Sequence, residues 1–240
     1  MKKLLVSDFD RTFYLNPEDL KTNIKKVKEF INNGNMFAIA TGRSFYDIML
    51  DIDKYGVEYD YLIVNHGATI LDKDKNILKN YLIDDNTKNK LEKELHIKDV
   101  LPTFCCSILE SRVSIKTNNL TKIHLEFETP EIAKKINSEI NKKYGKEILS
   151  YLLGSKSNII EIISAKTNKA VAINDLASIK NIDKKQIYTI GDSYSDMEML
   201  KEFNGNCMKN SEEEIKKIVS KQYVSVHELI DELIGEDNEN

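Results

Sequence analysis

Arginine is scarce in this chain of 240 residues: 35 are basic, yet only Arg11, Arg43 and Arg112 are arginine. A guanidinium suits a phosphate or carboxylate by its fork geometry, so each of the three is a candidate anion ligand. Cysteine is as sparse, with three residues that include the adjacent Cys105 and Cys106. An odd count argues against a disulfide scaffold, and none of the three lies in a CxxC pair or beside a histidine at zinc-ligand spacing. A reducing cytoplasm is therefore the expected compartment. Nor does any run rich in Pro, Gly or Ser mark a linker, and no internal repeat is visible. No uncharged run nears the roughly 20 residues needed to span a bilayer. Lys2 and Lys3 before Leu4, Leu5 and Val6 look like the start of a signal peptide, but Ser7 and Asp8 end the run. That falls short of the about 7–15 apolar residues of an export signal, so a buried strand in a soluble protein is expected. An excess of basic charge is also missing: 39 acidic residues give a net charge of −4, which supplies no field for nucleic acid or anionic membrane. What remains, 41% hydrophobic and 31% charged, is too apolar for a disordered chain.

The first third alternates between two textures. Leu4–Val6 reads as a strand. Asn16-Pro17-Glu18-Asp19 then starts a helix, with Pro at its first position and acids in the first turn. Leu20, Ile24, Val27, Phe30 and Ile31 recur at helical spacing before Gly34 stops it. A strand at Met36–Ala40, a helix from near Ser44 and a strand at Tyr61–Val64 follow. Such alternation is the signature of a parallel sheet with crossover helices. From about Asp84 the pattern becomes a helix at Asp85–His96, strands at Phe104–Lys116 and Lys122–Glu128, a helix at Pro130–Tyr144, and strands at Ile148–Leu153 and Asn158–Ser164. The first texture returns with a helix at Lys169–Ile179, a strand at Gln186–Ile190 and a helix from Ser195. A strand at Asn206–Met208, a helix at Ser211–Ser220, a strand at Tyr223–Val226 and a last helix follow, with Gly235–Asn240 frayed. The expected class is α/β: a Rossmann-like three-layer core with a mostly parallel sheet over residues 1–83 and 161–240. A smaller α+β domain is inserted over 84–160.

Chemistry concentrates at the strand ends, where ligands bind in parallel α/β sheets. Asp8-Phe9-Asp10-Arg11-Thr12 follows the first strand, and alternate residues of an extended segment point the same way. Gly191-Asp192-Ser193-Tyr194-Ser195-Asp196 follows Gln186–Ile190; its Ser195 or Asp196 also reads as a plain helix cap. Four converging carboxylates would repel by about 4 kcal/mol per pair at roughly 4 Å and an effective dielectric near 20, so such a site calls for a cation. All-oxygen ligands without a Cys/His set favour Mg²⁺ over zinc. Thr41-Gly42-Arg43 closes Met36–Ala40 with a hydroxyl and backbone N–H groups suited to a phosphate. Lys169 opens a helix where its ammonium could meet the same anion. In isolation, Thr41 reads sooner as a helix cap and Lys169 as a solvated surface charge than as anion ligands.

Taken in order, DFDRT, ATGRS, the lone lysine and GDSYSD resemble the four motifs of the haloacid dehalogenase superfamily of phosphotransferases. An insert between the second and third motifs looks like the Cof-like phosphatase branch, whose α/β cap sets substrate choice. The resemblance implies a Mg²⁺-dependent phosphomonoester hydrolase of small phosphorylated metabolites, sugar phosphates foremost. Asp8 would be the nucleophile that forms an aspartyl-phosphate, and Asp10 the general acid and base. Thr41, Gly42, Arg43 and Lys169 would bind the phosphoryl group. Mg²⁺ would be held by the Asp8 carboxylate, the Asp10 backbone carbonyl and Asp192, with Asp196 acting through water. Where the branch usually has Gly, this chain has Arg11, tolerable if its backbone needs no positive φ. Ser195 replaces an Asn of the last motif. His66-Gly67-Ala68 replaces Asn-Gly-Ala, with His66 read as a hydrogen-bonded structural residue. Val224-Ser225-Val226 stands in a shorter tail where the family has an acidic Gly-Val element.

In the expected cap, Arg112, Lys116, Lys122, His124 and Glu126 are candidate substrate contacts. Ile123, Leu125 and Phe127 alternate with Lys122, His124 and Glu126, which predicts one packed face and one polar face. Cys105 and Cys106 are expected to be packed. Two other outcomes of the same residues stay open: a phosphomutase, and a receiver-like module controlled by phosphorylation. The order of the acids at the first strand, the insert and the late acidic pair favour the phosphatase over the receiver-like module. No nucleic-acid or membrane partner is expected, and the oligomeric state is not readable.

Overall fold

Near-continuous apolar strands are buried on both faces, and here they form the centre of the molecule. A computed structural model describes residues 2–97, 102–154 and 156–238. β1 (Leu4–Ser7) leads to α1 (Pro17–Asn32), whose N-terminus is capped by the Asn16 side chain accepting from the Glu18 and Asp19 amides. β2 (Met36–Ala40), α2 (Phe45–Tyr55, capped by Ser44) and β3 (Tyr61–Val64) follow. The chain then turns back through β4 (Thr69–Asp72) and β5 (Ile77–Asn80). Next come α3 (Asp85–Ile97), β6 (Phe104–Cys106), β7 (Lys122–Glu126), α4 (Pro130–Tyr144), β8 (Ile148–Leu152) and β9 (Ile159–Ser164). The last third is α5 (Lys169–Lys180), β10 (Ile187–Gly191), α6 (Met197–Glu202), β11 (Asn204–Met208), α7 (Glu213–Lys216), β12 (Gln222–Tyr223) and α8 (Val226–Asn238).

Eight strands form one sheet in the order β12-β11-β10-β1-β2-β3-β4-β5, parallel from β12 to β3. The hairpin β4–β5 adds two antiparallel strands at one edge. Strand alternation divides the core: Leu5, Phe37, Ile39, Leu62 and Val64 pack with α1, α2 and α8, while Leu4, Val6, Ala38, Ala40 and Ile63 pack with α5, α6 and α7. This is the three-layer α/β arrangement expected. A second, antiparallel sheet, β6-β7-β9-β8, is covered on one face by α3 and α4 through Leu91, Ile123, Leu125, Ile136, Ile160 and Ile162.

Several elements differ from the sequence reading. The hairpin β4–β5 was not expected; β5 is short and only partly buried, so its period-2 signal is weak. The strand expected at Phe104–Lys116 ends at Cys106, because the Ser-rich stretch after it turns through Arg112 at φ 60°, and only Val113 returns to pair with Cys105. The helix expected at Ser211–Ser220 is a single turn, Glu213–Lys216. The C-terminal helix runs on to Asn238 instead of fraying at Gly235, while Glu239 and Asn240 lie outside the described residues. The expected boundary at 160/161 falls inside β9, all of which belongs to the second sheet. Among the described residues, no helix is long and apolar enough to cross a membrane.

Candidate active site

Parallel register brings the ends of β1 and β10 side by side: Ser7 pairs with Ile190, and the Asp8 amide donates to the Ile190 carbonyl at 2.9 Å. Asp8 and Asp192, the next residues beyond those two ends, therefore meet. Asp196 joins them because the chain doubles back in a short 3₁₀ turn at Tyr194–Asp196. Carboxylate oxygens of Asp8, Asp192 and Asp196 all lie within 4.8 Å of one another, and all three residues are buried. Gly191 makes this possible, since a Cβ there would stand 2.6 Å from the Asp196 carboxyl carbon. Asp196 Oδ2 accepts from the Asp192 and Ser193 amides at 3.2 and 3.0 Å and from Ser193 Oγ at 2.9 Å. Ser195, the departure from the family pattern, keeps an oxygen in this group, with its Oγ 3.0 Å from that of Ser193.

Lys169, the first residue of α5, is 1% exposed and bridges two of the acids, Nζ donating to Asp8 Oδ1 at 2.7 Å and to Asp196 Oδ1 at 2.5 Å. Its attraction to Asp196 and Asp8 outweighs burial and holds the ammonium charged. One buried ammonium does not balance three carboxylates. Burial, then repulsion from Asp196 and Asp192, pushes Asp8 well above the usual carboxylate range despite Lys169. Burial and the Asp196 charge push Asp192 up to about 6. Thr12 Oγ1 donates to Asp192 Oδ1 at 3.2 Å, but Asp192 Oδ2 is buried and takes no hydrogen bond. An under-neutralised, all-oxygen set with a spare lone pair fits a hard divalent cation.

Arg11 approaches that same Oδ2 with Nε at 3.3 Å from a largely exposed position. Its φ is 63°, so the condition under which arginine should be tolerated there is not met. The backbone takes the left-handed form that glycine adopts freely, and arginine carries the strain.

Asp10 does not join the three carboxylates. Its half-exposed side chain is gripped by Arg43, Nε to Oδ2 at 2.8 Å and Nη2 to Oδ1 at 2.5 Å. Arg43 Nη1 donates to Asp51 at 2.6 Å, and the guanidinium lies 5.0 Å from the Phe9 ring centroid. The Arg43 fork is thus turned on protein carboxylates. Thr41, 1% exposed, accepts from the Arg43 amide at 3.1 Å. Gly42 is sterically required, because a Cβ would sit 2.4 Å from the His66 ring.

A cavity of about 480 Å³ opens above these residues, and the second sheet forms its roof. Lys122 on β7 donates to the Gly42 carbonyl at 2.6 Å and to Glu161 Oε1 at 2.7 Å. Glu161 on β9 also meets His124 Nδ1 at 3.0 Å and His66 Nε2 at 2.5 Å. Burial would raise the Glu161 carboxyl, but Lys122, His124 and His66 hold it well below the usual range. Burial lowers His66, so the imidazole is neutral, and its ring stacks on Tyr151 at 5.1 Å. The polar face of the second sheet is covered at Lys122, which is 3% exposed, and open at Glu126.

Of the other expected roof contacts, Arg112 lies 3.8 Å from Asp47, and Arg112, Lys116, His124 and Glu126 do not line the cavity. Glu161 and Tyr151 were missed. The signal available was β alternation, which places Glu161 opposite Ile160 and Ile162, but only the strand pairing His124↔Glu161↔Tyr151 shows that these residues form one patch. Cys105 and Cys106 are buried and free, as expected, and burial pushes the Cys105 thiol up to about 12.

Known proteins resemble this chain in sequence and in fold. The family model for haloacid dehalogenase-like hydrolases matches residues 5–112 and 92–229. A protein of Buchnera aphidicola subsp. Schizaphis graminum named "Putative phosphatase" is 25% identical, over 90% of this chain and 88% of that one. The 5-amino-6-(5-phospho-D-ribitylamino)uracil phosphatase YcsE of Bacillus subtilis is 24% identical, over 90% and 87%. The solved structure of the subclass IIB sugar phosphatase BT4131 superposes with a TM-score of 0.78 at 13% identity, covering 97% of this chain and 99% of that one.

Proposed function

The chain belongs to the haloacid dehalogenase-like hydrolase family and is a phosphatase, and on that premise we propose that it hydrolyses small phosphomonoesters, sugar phosphates foremost, with Asp8 as nucleophile. The observation that carries the reading is the buried triad Asp8, Asp192 and Asp196, of which Asp8 and Asp192 line a cavity large enough for a small metabolite. An Asp8 oxygen attacks phosphorus, and the bond from phosphorus to the leaving oxygen breaks. Asp10 gives that oxygen a proton. Asp10 then takes a proton from water, which attacks the aspartyl-phosphate at phosphorus and frees orthophosphate and the Asp8 carboxylate. For the first proton transfer the Arg43 fork on Asp10 has to open. Thr41, the Gly42 and Arg43 backbone and Lys169 hold the phosphoryl oxygens.

Asp8, Asp192 and the Asp10 backbone carbonyl would hold Mg²⁺, with Asp196 acting through water. The ion, when bound, offsets the repulsion between an anionic substrate and the acids that surround the nucleophile. Residues 84–160, together with the rest of β9, act as the cap that excludes water and reads the leaving group. YcsE and BT4131, whose names give a phosphoribityl compound and sugar phosphates, support a hydroxyl-bearing leaving group.

The test is phosphate release from p-nitrophenyl phosphate with Mg²⁺. Wild type should turn over, and Asp8→Asn should be silent while remaining folded. Equal rates in the two proteins would remove the mechanism.

A further inference from the structure

Three hydrogen-bonding positions on the cavity roof are uncommitted. Lys122 has three N–H donors and spends two, on the Gly42 carbonyl and on Glu161 Oε1. Glu161 Oε1 accepts from Lys122 and His124, but Oε2 accepts only from His66, which leaves it a lone pair. With Nε2 donating to Glu161, the neutral His66 imidazole presents Nδ1 as an acceptor, and this nitrogen is buried without a partner. Lys122, Glu161 and His66 all line the cavity that also contains Asp8. Each is less than one-tenth exposed. Around them the walls are flat and apolar: Tyr151 stacked on His66, Phe104, Leu152 and Leu153.

One donor and two acceptors on residues that line one cavity, beside an aromatic face, match the hydroxyl groups of a carbon chain or ring. Each hydroxyl gives one hydrogen and accepts another, and the carbon face packs on the ring. An alkyl or aryl group would leave the roof's polar atoms unpaired, and an unmade bond at a buried polar site costs more than the bond itself contributes. We propose that Lys122, Glu161 and His66 recognise a vicinal diol on the leaving group and so select polyol phosphates over alkyl and aryl phosphates. This assignment rests on the phosphomonoester reading above and adds to it the residues that read the alcohol.

Two four-carbon substrates isolate the hydroxyls: erythritol 4-phosphate and n-butyl phosphate. Wild type should prefer the polyol by about 100-fold in kcat/KM, the discrimination expected for one or two charge-assisted hydrogen bonds. Glu161→Gln and Lys122→Met should each bring that ratio below about 10, mainly through KM for the polyol, and Lys122→Arg should restore part of it. A purely structural role would lower both substrates together and leave the ratio unchanged, which would overturn the assignment. A wild-type ratio near 1 would overturn it as well, and that measurement needs no variant to fold. Turnover of p-nitrophenyl phosphate separates the two failures. If neither it nor the polyol phosphate is hydrolysed, the phosphomonoester reading falls; if it is hydrolysed without polyol preference, only the recognition site falls.

Discussion

Arg43 holds Asp10 by two parallel hydrogen bonds, Nε to Oδ2 at 2.8 Å and Nη2 to Oδ1 at 2.5 Å, while its third nitrogen holds Asp51 at 2.6 Å. The acid nearest the nucleophile in sequence is therefore tethered away from the carboxylate cluster, at the cavity mouth. Both its oxygens are occupied. A leaving alcohol that reaches Asp10 has to compete with a guanidinium for it.

Asp10→Asn removes the proton donor and leaves the nucleophile in place. We expect kcat/KM to fall about 10²–10⁴-fold for alkyl phosphates, whose leaving oxygen needs a proton, and much less for p-nitrophenyl phosphate. Equal losses on both substrates would show that Asp10 is not the acid.

Asp192 gives a pH dependence with a definite sign. Its carboxyl is raised to about 6 in the fold against 3.8 for the free residue, so the metal-free folded state binds more protons than the unfolded one between those values. Metal-free protein should gain stability as pH falls from 7.5 to 5, by about 1.4 kcal/mol. Asp192→Asn should lack that gain, and should also lose the rise in Tm that Mg²⁺ gives wild type. Urea unfolding with EDTA or with Mg²⁺ at the two pH values measures both effects. EDTA should likewise silence wild-type turnover, and added Mg²⁺ should restore it.

Arg11→Gly should stabilise the protein slightly, by about 0.5 kcal/mol. Relief of the left-handed backbone, about 1–2 kcal/mol, exceeds the added chain entropy of glycine and the loss of a largely exposed ion pair. A decrease in stability would show that the Arg11–Asp192 contact outweighs the strain.

Gly191→Ala changes no charge, yet its Cβ would collide with the Asp196 carboxylate at 2.6–2.8 Å. Displacing that carboxylate should weaken Mg²⁺ binding by about 10–100-fold, read from the Mg²⁺ concentration giving half-maximal turnover. Unchanged metal affinity would place Asp196 outside the ion's surroundings.

The floor of the site was legible because each part is local: Asp8, Thr41, Lys169 and Asp192 stand next to a strand end or helix start that the sequence marks by itself. The roof was legible only by half. Alternation along β7 showed that Lys122 and His124 share a polar face, but a strand carries no record of what lies against that face. Glu161 and Tyr151 enter through pairing with residues tens of positions away, and His66 through a bend in another sheet. Arg11's φ was hidden for a related reason, since the turn after β1 is set by the Phe9 and Phe13 packing below it. β5 escaped because a short edge strand with two polar residues among four looks like any loop.

The bond from Lys122 to the Gly42 carbonyl joins a side chain of one sheet to the main chain of the other. A main-chain oxygen is present whatever residue occupies the position, so mutation on the floor cannot erase that acceptor. It can only move it. The tie between roof and floor is thus lost by changing Lys122, whereas a change at position 42 shifts its acceptor without removing it.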